Sequence, residues 1–383
     1  MILLMSGVCT GLMFVAYPAI DPATGWNDHY FYWGQANEWF NLGQTLVLTP
    51  DTQALLDQYR IDYYYDAVNG SSQQPPYVYR VAVPFLAGLL GLTGPLWIVF
   101  MSITVASFLT LGLSVALGVR TLTHSTILTL VSIPLAITPA GFGVYTRFYA
   151  MVDLPSIALV AWVIALTIRK YYVSALLLSA ILAPLIKETT IGLASFVALV
   201  MWIRGNTGWL KWVAAITPVF LLLAIRLVTP VPSPPLLSEL YVQASPYQGV
   251  ITLADTFGFA WPLAIGLLAV PIRLYFLATI PLFISLLVIT SSVVTAADRI
   301  WLTLWPFLVI FGLSGLKGLF TRRSALLAYV AVSASGLLLS NLVVLGHINR
   351  IALTIWLALT LLVFGLMTAY RTRDHQKALM PGL

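Results

Sequence analysis

The chain has 383 residues, of which 60% are apolar and only 8% are Asp, Glu, Lys or Arg, against about a quarter charged in an ordinary soluble domain. With a mean hydropathy of +0.94 and 22 Pro and 26 Gly spread along it, it is not a soluble enzyme, a coiled coil or a disordered chain, and charge-free runs such as 213–225 and 351–367 exclude the alternating pattern of an outer-membrane barrel. The net charge of +6 reports orientation in a bilayer before it reports an anionic partner, and no nucleic acid is expected. A single cysteine, Cys9, allows no intramolecular disulfide.

A helix rises about 1.5 Å per residue and the hydrocarbon core is about 30 Å thick, so runs of roughly 17–25 apolar residues bounded by charge predict spans. Twelve are found, at 2–20, 96–119, 125–142, 151–169, 171–186, 188–204, 209–228, 254–271, 275–293, 299–319, 324–345 and 351–370. The first lacks a basic leader region and a small-residue cleavage site and reads as a retained helix. The pair 171–186 and 188–204 is divided because one helix over both would place Lys187-Glu188 in mid-membrane. The predicted fold is therefore an all-α polytopic membrane protein of about twelve transmembrane helices, one integral membrane domain over 1–383.

Placing both termini in the cytoplasm puts twelve basic residues inside, from Arg120 to Lys377, and seven outside, from Arg60 to Arg350. That is the sign expected for basic residues retained on the cytoplasmic side. The two long connections, 21–80 and 229–253, then both lie outside, and function is expected there because connections elsewhere are short.

In the first outer loop, 28–42 predicts a surface helix with Tyr30, Trp33, Asn37 and Phe40 near one face, following the plausible cap Asn27-Asp28. Such aromatics also suit an interfacial belt. Asp28, beside His29 at the exit of the first span, stands where an outward-facing membrane enzyme needs a base, with Asp21 as substitute. Farther on, Tyr63, Tyr64 and Tyr79, with Trp33, are candidates to stack on sugar rings or an acceptor. Residues 81–94 are too short to span and predict a re-entrant or interfacial segment beginning at Arg80.

Basic residues with acidic neighbours recur at the outer ends of spans: Arg147 near Asp153, Lys187 beside Glu188, and Arg299 beside Asp298. Each is explained equally well as a local ion pair. Bundling would bring Arg80, Arg147, Lys187 and Arg299 toward one outward cavity that could cradle a donor phosphate, with His29, Asp153, Glu188 and Asp298 in support. The histidine spacings do not suit zinc, and no nucleotide-binding glycine pattern occurs.

A first helix, a large outer loop opening on an acidic residue, a Tyr-Arg-x-x-x-Pro segment (79–84), Lys187-Glu188-Thr189 and a helix starting Asp298-Arg299 together resemble the GT-C superfamily of integral membrane glycosyltransferases that use polyprenyl-phosphate sugars. The resemblance covers spans one to ten loosely. It implies that Asp28 acts as catalytic base or helps hold a divalent cation, Mg or Mn. Where many members carry two adjacent acids, this chain has Asp28-His29. The implied partners are a polyprenyl-phosphate-linked sugar donor, the lipid bilayer, and a glycan, lipid or protein acceptor at the cell envelope. Inverting transfer needs a base at the acceptor hydroxyl and charge stabilisation at the departing phosphate, which an ionised aspartate and a basic cradle supply. A secondary transporter or lipid flippase with an outward charged cavity remains open at this stage, although nearly every charge falls at a span end and not near the midplane.

Overall fold

The structure, a computed structural model, describes residues 1–20, 29–44, 80–206, 208–228, 301–320 and 323–347, with Pro50, parts of 263–286 (263–264, 266–269, 272, 275, 277–284 and 286), and 355, 356 and 360. Among them the chain is mostly helical and contains no strand. The helices are α1 (Ile2–Ala16), α2 (His29–Phe40), α3 (Ala82–Gly91), α4 (Leu96–Thr123), α5 (Thr126–Ile137), α6 (Gly143–Arg147), α7 (Asp153–Ile168), α8 (Tyr172–Ile186), α9 (Leu193–Ile203), α10 (Leu210–Val228), α11 (Trp305–Leu319) and α12 (Arg323–Val344). Two described helices are long and apolar enough to cross a membrane, Leu96–Thr123 and Leu302–Leu319, the second counting the 3-10 turn Leu302–Leu304 that leads into α11.

Local sequence explains the punctuation. Pro95, in extended conformation, precedes α4, where its missing N–H costs nothing. The helix stops at His124, which takes the left-handed conformation (φ 51°). Ser125 starts α5 by accepting the Leu128 N–H. A π turn at Leu178–Leu182 interrupts α8. The break expected at Lys187 is present: α8 ends at Ile186, Lys187 is extended, and a 3-10 turn, Glu188–Thr190, leads on toward α9. The predicted segment 81–94 contains the ten-residue helix α3.

Helix α11 is buried on every side as far as Leu316, with Val309, Ile310, Phe311 and Leu313 fully enclosed, as an all-round apolar helix requires. It packs against α4, α5 and α7. The 3-10 turn Gly266–Leu268 lies so close to it that a Cβ on Gly315 would meet the Gly266 carbonyl oxygen at 1.8 Å. The outward faces of α1 and α10 are apolar and exposed, with Leu4, Val15, Phe220 and Leu227 among the most open.

The helices are arranged with their ends in two sets. One end gathers the starts of α4, α7 and α11 and the end of α8. The other gathers the ends of α4, α7, α9 and α11, where the Lys317 ammonium donates to the Thr123 carbonyl and Arg204 donates to the Tyr172 and Tyr275 hydroxyls. A small second core of Tyr32, Trp33, Ala36, Val83, Ala87, Leu96, Phe100, Val152 and Ile186 closes the first end. The long loops 21–80 and 229–253 fall mostly or wholly outside the described residues.

Candidate functional site

The second core brings together four segments distant in sequence. Helix α2 lies along α3, and Gly88 makes the approach possible: a Cβ there would stand 2.2 Å from the Phe40 ring and 2.8 Å from the Ala36 carbonyl oxygen. The Trp33 ring stacks on Phe100 of α4 at 6.0 Å between centroids, and its indole N–H donates to the Gln44 carbonyl at 2.7 Å. Gln44 then joins this layer to the bundle. Its side-chain oxygen accepts the Leu96 N–H at 2.7 Å, and its amide group donates to the Gly94 carbonyl at 3.3 Å. One of the orphan donors at the start of α4 is thereby satisfied from a loop 52 residues away.

Into this apolar layer the fold inserts charge. Arg80, just before α3, donates from Nε to Glu188 Oε2 at 2.8 Å, and a terminal guanidinium nitrogen bonds Oε1 of the same carboxylate. Its other terminal nitrogen donates to the Tyr32 hydroxyl at 2.6 Å. The planar fork of arginine suits this two-point grip, which a lysine could not reproduce. Next to it, the Lys187 ammonium bonds Asp153 Oδ1, and both side chains are almost wholly buried. Asp153 opens α7, where the positive end of the helix favours a carboxylate.

Burial by itself would lower the Arg80 pKa. The Glu188 carboxylate beside it, with Tyr32 and the more distant Asp153, outweighs that cost and holds the guanidinium protonated, with its pKa raised well above the ordinary value. The outcome is a tetrad of two positive and two negative groups, balanced within itself, with Arg80, Asp153 and Lys187 buried and Glu188 partly so.

Four expected site residues, Arg80, Asp153, Lys187 and Glu188, are therefore brought together, but as a paired network and not as an open basic cradle. The pairing also differs from sequence proximity: Lys187 takes Asp153 while Glu188 takes Arg80. Arg147 belongs elsewhere. Its guanidinium is exposed and lies 6.0 Å from the centroid of the Tyr17 ring, while its carbonyl accepts the Ile20 N–H at 3.1 Å. Tyr17 in turn donates to Asn341, whose amide group donates to the Thr138 carbonyl.

Trp33, expected as a stacking platform, is 6% exposed with one ring face taken by Phe100. It secures the loop to the bundle. Of the predicted face, Trp33 is buried and Phe40 packs on Phe85 of α3, and Tyr32, Gln35 and Ala36 are buried beside them, because α2 meets both α3 and the start of α4. His29 opens α2. Asp21, Asp28, Tyr63, Tyr64, Tyr79, Asp298 and Arg299 lie outside the described residues.

Tyr32 and Gln44 were not anticipated. Tyr32 stands four residues after Asp28, so helical spacing could have suggested it; for Gln44 the sequence carries no signal. Among the described residues no three His, Cys, Asp or Glu side chains come together as metal ligands. No family model matches the chain, and no curated protein and no solved structure matches it.

Proposed function

We propose that this chain is an integral membrane glycosyltransferase of the GT-C kind, which moves a sugar from a polyprenyl-phosphate donor to a hydroxyl acceptor on the outer face with inversion. In this reading it spans the membrane about twelve times with both termini in the cytoplasm. The observation that supports it is the charged tetrad, assembled from the Arg80 segment, the start of α7 and the Lys187-Glu188 turn, and bonded by Tyr32 of α2, at one end of a bundle with an apolar core. Burying three ionisable groups, with the fourth partly covered, is costly and marks a built feature more than a chance helix end.

Asp28 is the base in this reading. It precedes α2 by one residue, and α2 is tied to the bundle through Tyr32 and Arg80. Deprotonation of the acceptor hydroxyl by Asp28 lets its oxygen attack the anomeric carbon as the bond to the donor phosphate breaks. The phosphate leaves with the electron pair, and Arg299 together with Arg80 and Lys187, which keep their carboxylate partners, is assigned to meet it, while Arg147 has no part in it. The exposed apolar faces of α1 and α10 suit contact with lipid chains.

The test is turnover by the purified chain in lipid nanodiscs, with a mixed pool of radiolabelled polyprenyl-phosphate sugars and outer-envelope lipid and glycan acceptors. Release of free polyprenyl phosphate with label appearing on an acceptor supports the proposal. Movement of intact sugar-lipid between leaflets, with no bond broken, makes the chain a flippase instead.

A further inference from the structure

Charge is segregated along this bundle. The acidic residues among those described, Glu38, Asp153 and Glu188, all belong to the layer around the tetrad. The opposite end carries Arg120, Arg169, Lys170, Arg204 and Lys317, all exposed, and no acidic residue among those described. Helices α4 and α7 pack along each other, so Arg120 and Arg169 stand at the ends of neighbouring helices.

The turn after α7 fixes part of this surface. The Lys170 N–H reaches the Thr167 carbonyl at 3.1 Å and the Tyr171 N–H reaches Leu166 at 2.9 Å, the paired bonds of a helix-terminating turn in which glycine is the usual left-handed residue. Here that residue is Lys170, at φ 67°. Arg169 lies 5.5 Å from the centroid of the Tyr171 ring, and Arg204 donates to the Tyr172 hydroxyl at 3.1 Å. Around these cations stand aromatic rings open to the surroundings: Tyr171 at 54%, Trp202 at 58% and Trp209 at 68% exposed, with Leu210 at 65%.

We infer that this end binds the headgroups of anionic phospholipids, of the phosphatidylglycerol or cardiolipin class, in the leaflet it faces. The inference rests on the membrane part of the reading above and not on its chemistry. Cations grouped without acids attract phosphate diesters, and the amphipathic rings of Trp and Tyr settle at headgroup depth. A soluble polyanion such as nucleic acid would satisfy the cations but leave Trp202, Trp209 and Leu210 in water. A bilayer surface meets both needs at once.

The test uses the full chain purified in mild detergent, washed, and offered equimolar phosphatidylglycerol and phosphatidylcholine, with retained lipid measured by native mass spectrometry. A cation close to an anionic lipid surface is worth about a five-fold preference. The wild type should retain phosphatidylglycerol at least about ten-fold over phosphatidylcholine, and the preference should collapse near 0.5 M salt, roughly where screening shortens to a few ångströms. Replacing Arg120→Gln, Arg169→Gln and Lys170→Gln together removes no hydrogen bond described above, and should bring retention toward parity with unchanged melting. Equal retention by the wild type, a preference indifferent to salt, or a well-folded triple variant with full preference each overturns the lipid site while leaving the transferase reading intact. Tighter capture of an oligonucleotide than of phosphatidylglycerol overturns it as well. If the triple variant fails to fold, the wild-type salt series still decides. Release of the chain from membranes by alkaline carbonate overturns both this inference and the membrane reading.

Discussion

Arg80 grips Glu188 across 108 residues of chain, with Nε and a terminal guanidinium nitrogen on the two oxygens of one carboxylate. A third bond from the same guanidinium reaches Tyr32 of α2, so one side chain joins the first long loop to the turn between α8 and α9.

Removing either partner strands the other in a mostly apolar layer. Arg80→Met or Glu188→Leu alone should cost toward the lower end of the roughly 3–5 kcal/mol seen when a buried pair is broken, because the Glu188 side chain keeps 22% exposure. The double variant should lose clearly less than the sum of the two. A double-mutant cycle of thermal melting in detergent measures this coupling, and additive losses would remove the pair from the account. Arg80→Lys keeps the charge without the fork and should recover only part of the loss.

The Lys187–Asp153 pair is more enclosed, at 4% and 1% side-chain exposure, and the same logic holds more strongly. Lys187→Met alone should be among the most destabilising single changes, at about 3–5 kcal/mol, while Lys187→Met with Asp153→Leu should melt near the wild type. If that stable double variant also keeps full transferase turnover, Lys187 has no part in meeting the donor phosphate and its role is confined to joining α7 to the turn.

Gly88 sets the contact between α2 and α3. Gly88→Ala should destabilise by about 1–3 kcal/mol, the usual cost of overpacking, since the new methyl group meets the Phe40 ring and the Ala36 carbonyl. Adding Phe40→Ala relieves the ring clash but not the carbonyl, so thermal melting should show partial rescue. Melting of Gly88→Ala equal to the wild type would show that α2 does not sit on α3 in this way.

The sorting of basic residues predicts that 21–80 and 229–253 share one side of the membrane, opposite both termini. In a Cys9→Ala background, single cysteines at Ser72, Ser238 and Thr372 should separate in intact cells or spheroplasts: the first two label with an impermeant maleimide and the third does not. Labelling at all three contradicts the scheme.

The helices were largely legible in the sequence because apolar length and flanking charge fix them locally. Runs at 96–119, 151–169 and 209–228 correspond to α4, α7 and α10, and the charge of Lys187-Glu188 located the break between α8 and α9. The partners in the tetrad were not legible. Adjacent residues on a turn point in different directions, so Lys187 and Glu188 reach different neighbours, and which neighbours depends on how four segments pack. Arg147 illustrates the same limit: its sequence neighbour Asp153 is committed to Lys187, and Arg147 lies over Tyr17, the residue that ends the first helix. Trp33 reads equally as an interfacial, sugar-stacking or packing residue until Phe100 is found against it.

The central claim is tested most directly by the turnover of Asp28→Asn, a change that preserves shape and capping while removing the proton acceptor. General-base catalysis contributes about 10²–10⁴-fold, so transfer from a polyprenyl-phosphate sugar should fall by that order with melting and donor binding unchanged. A role confined to capping α2 predicts instead a loss of about 1 kcal/mol or less in stability and near-normal turnover. A well-folded Asp28→Asn protein that retains more than roughly half of the wild-type rate contradicts the assignment, given the size of effect expected of a base.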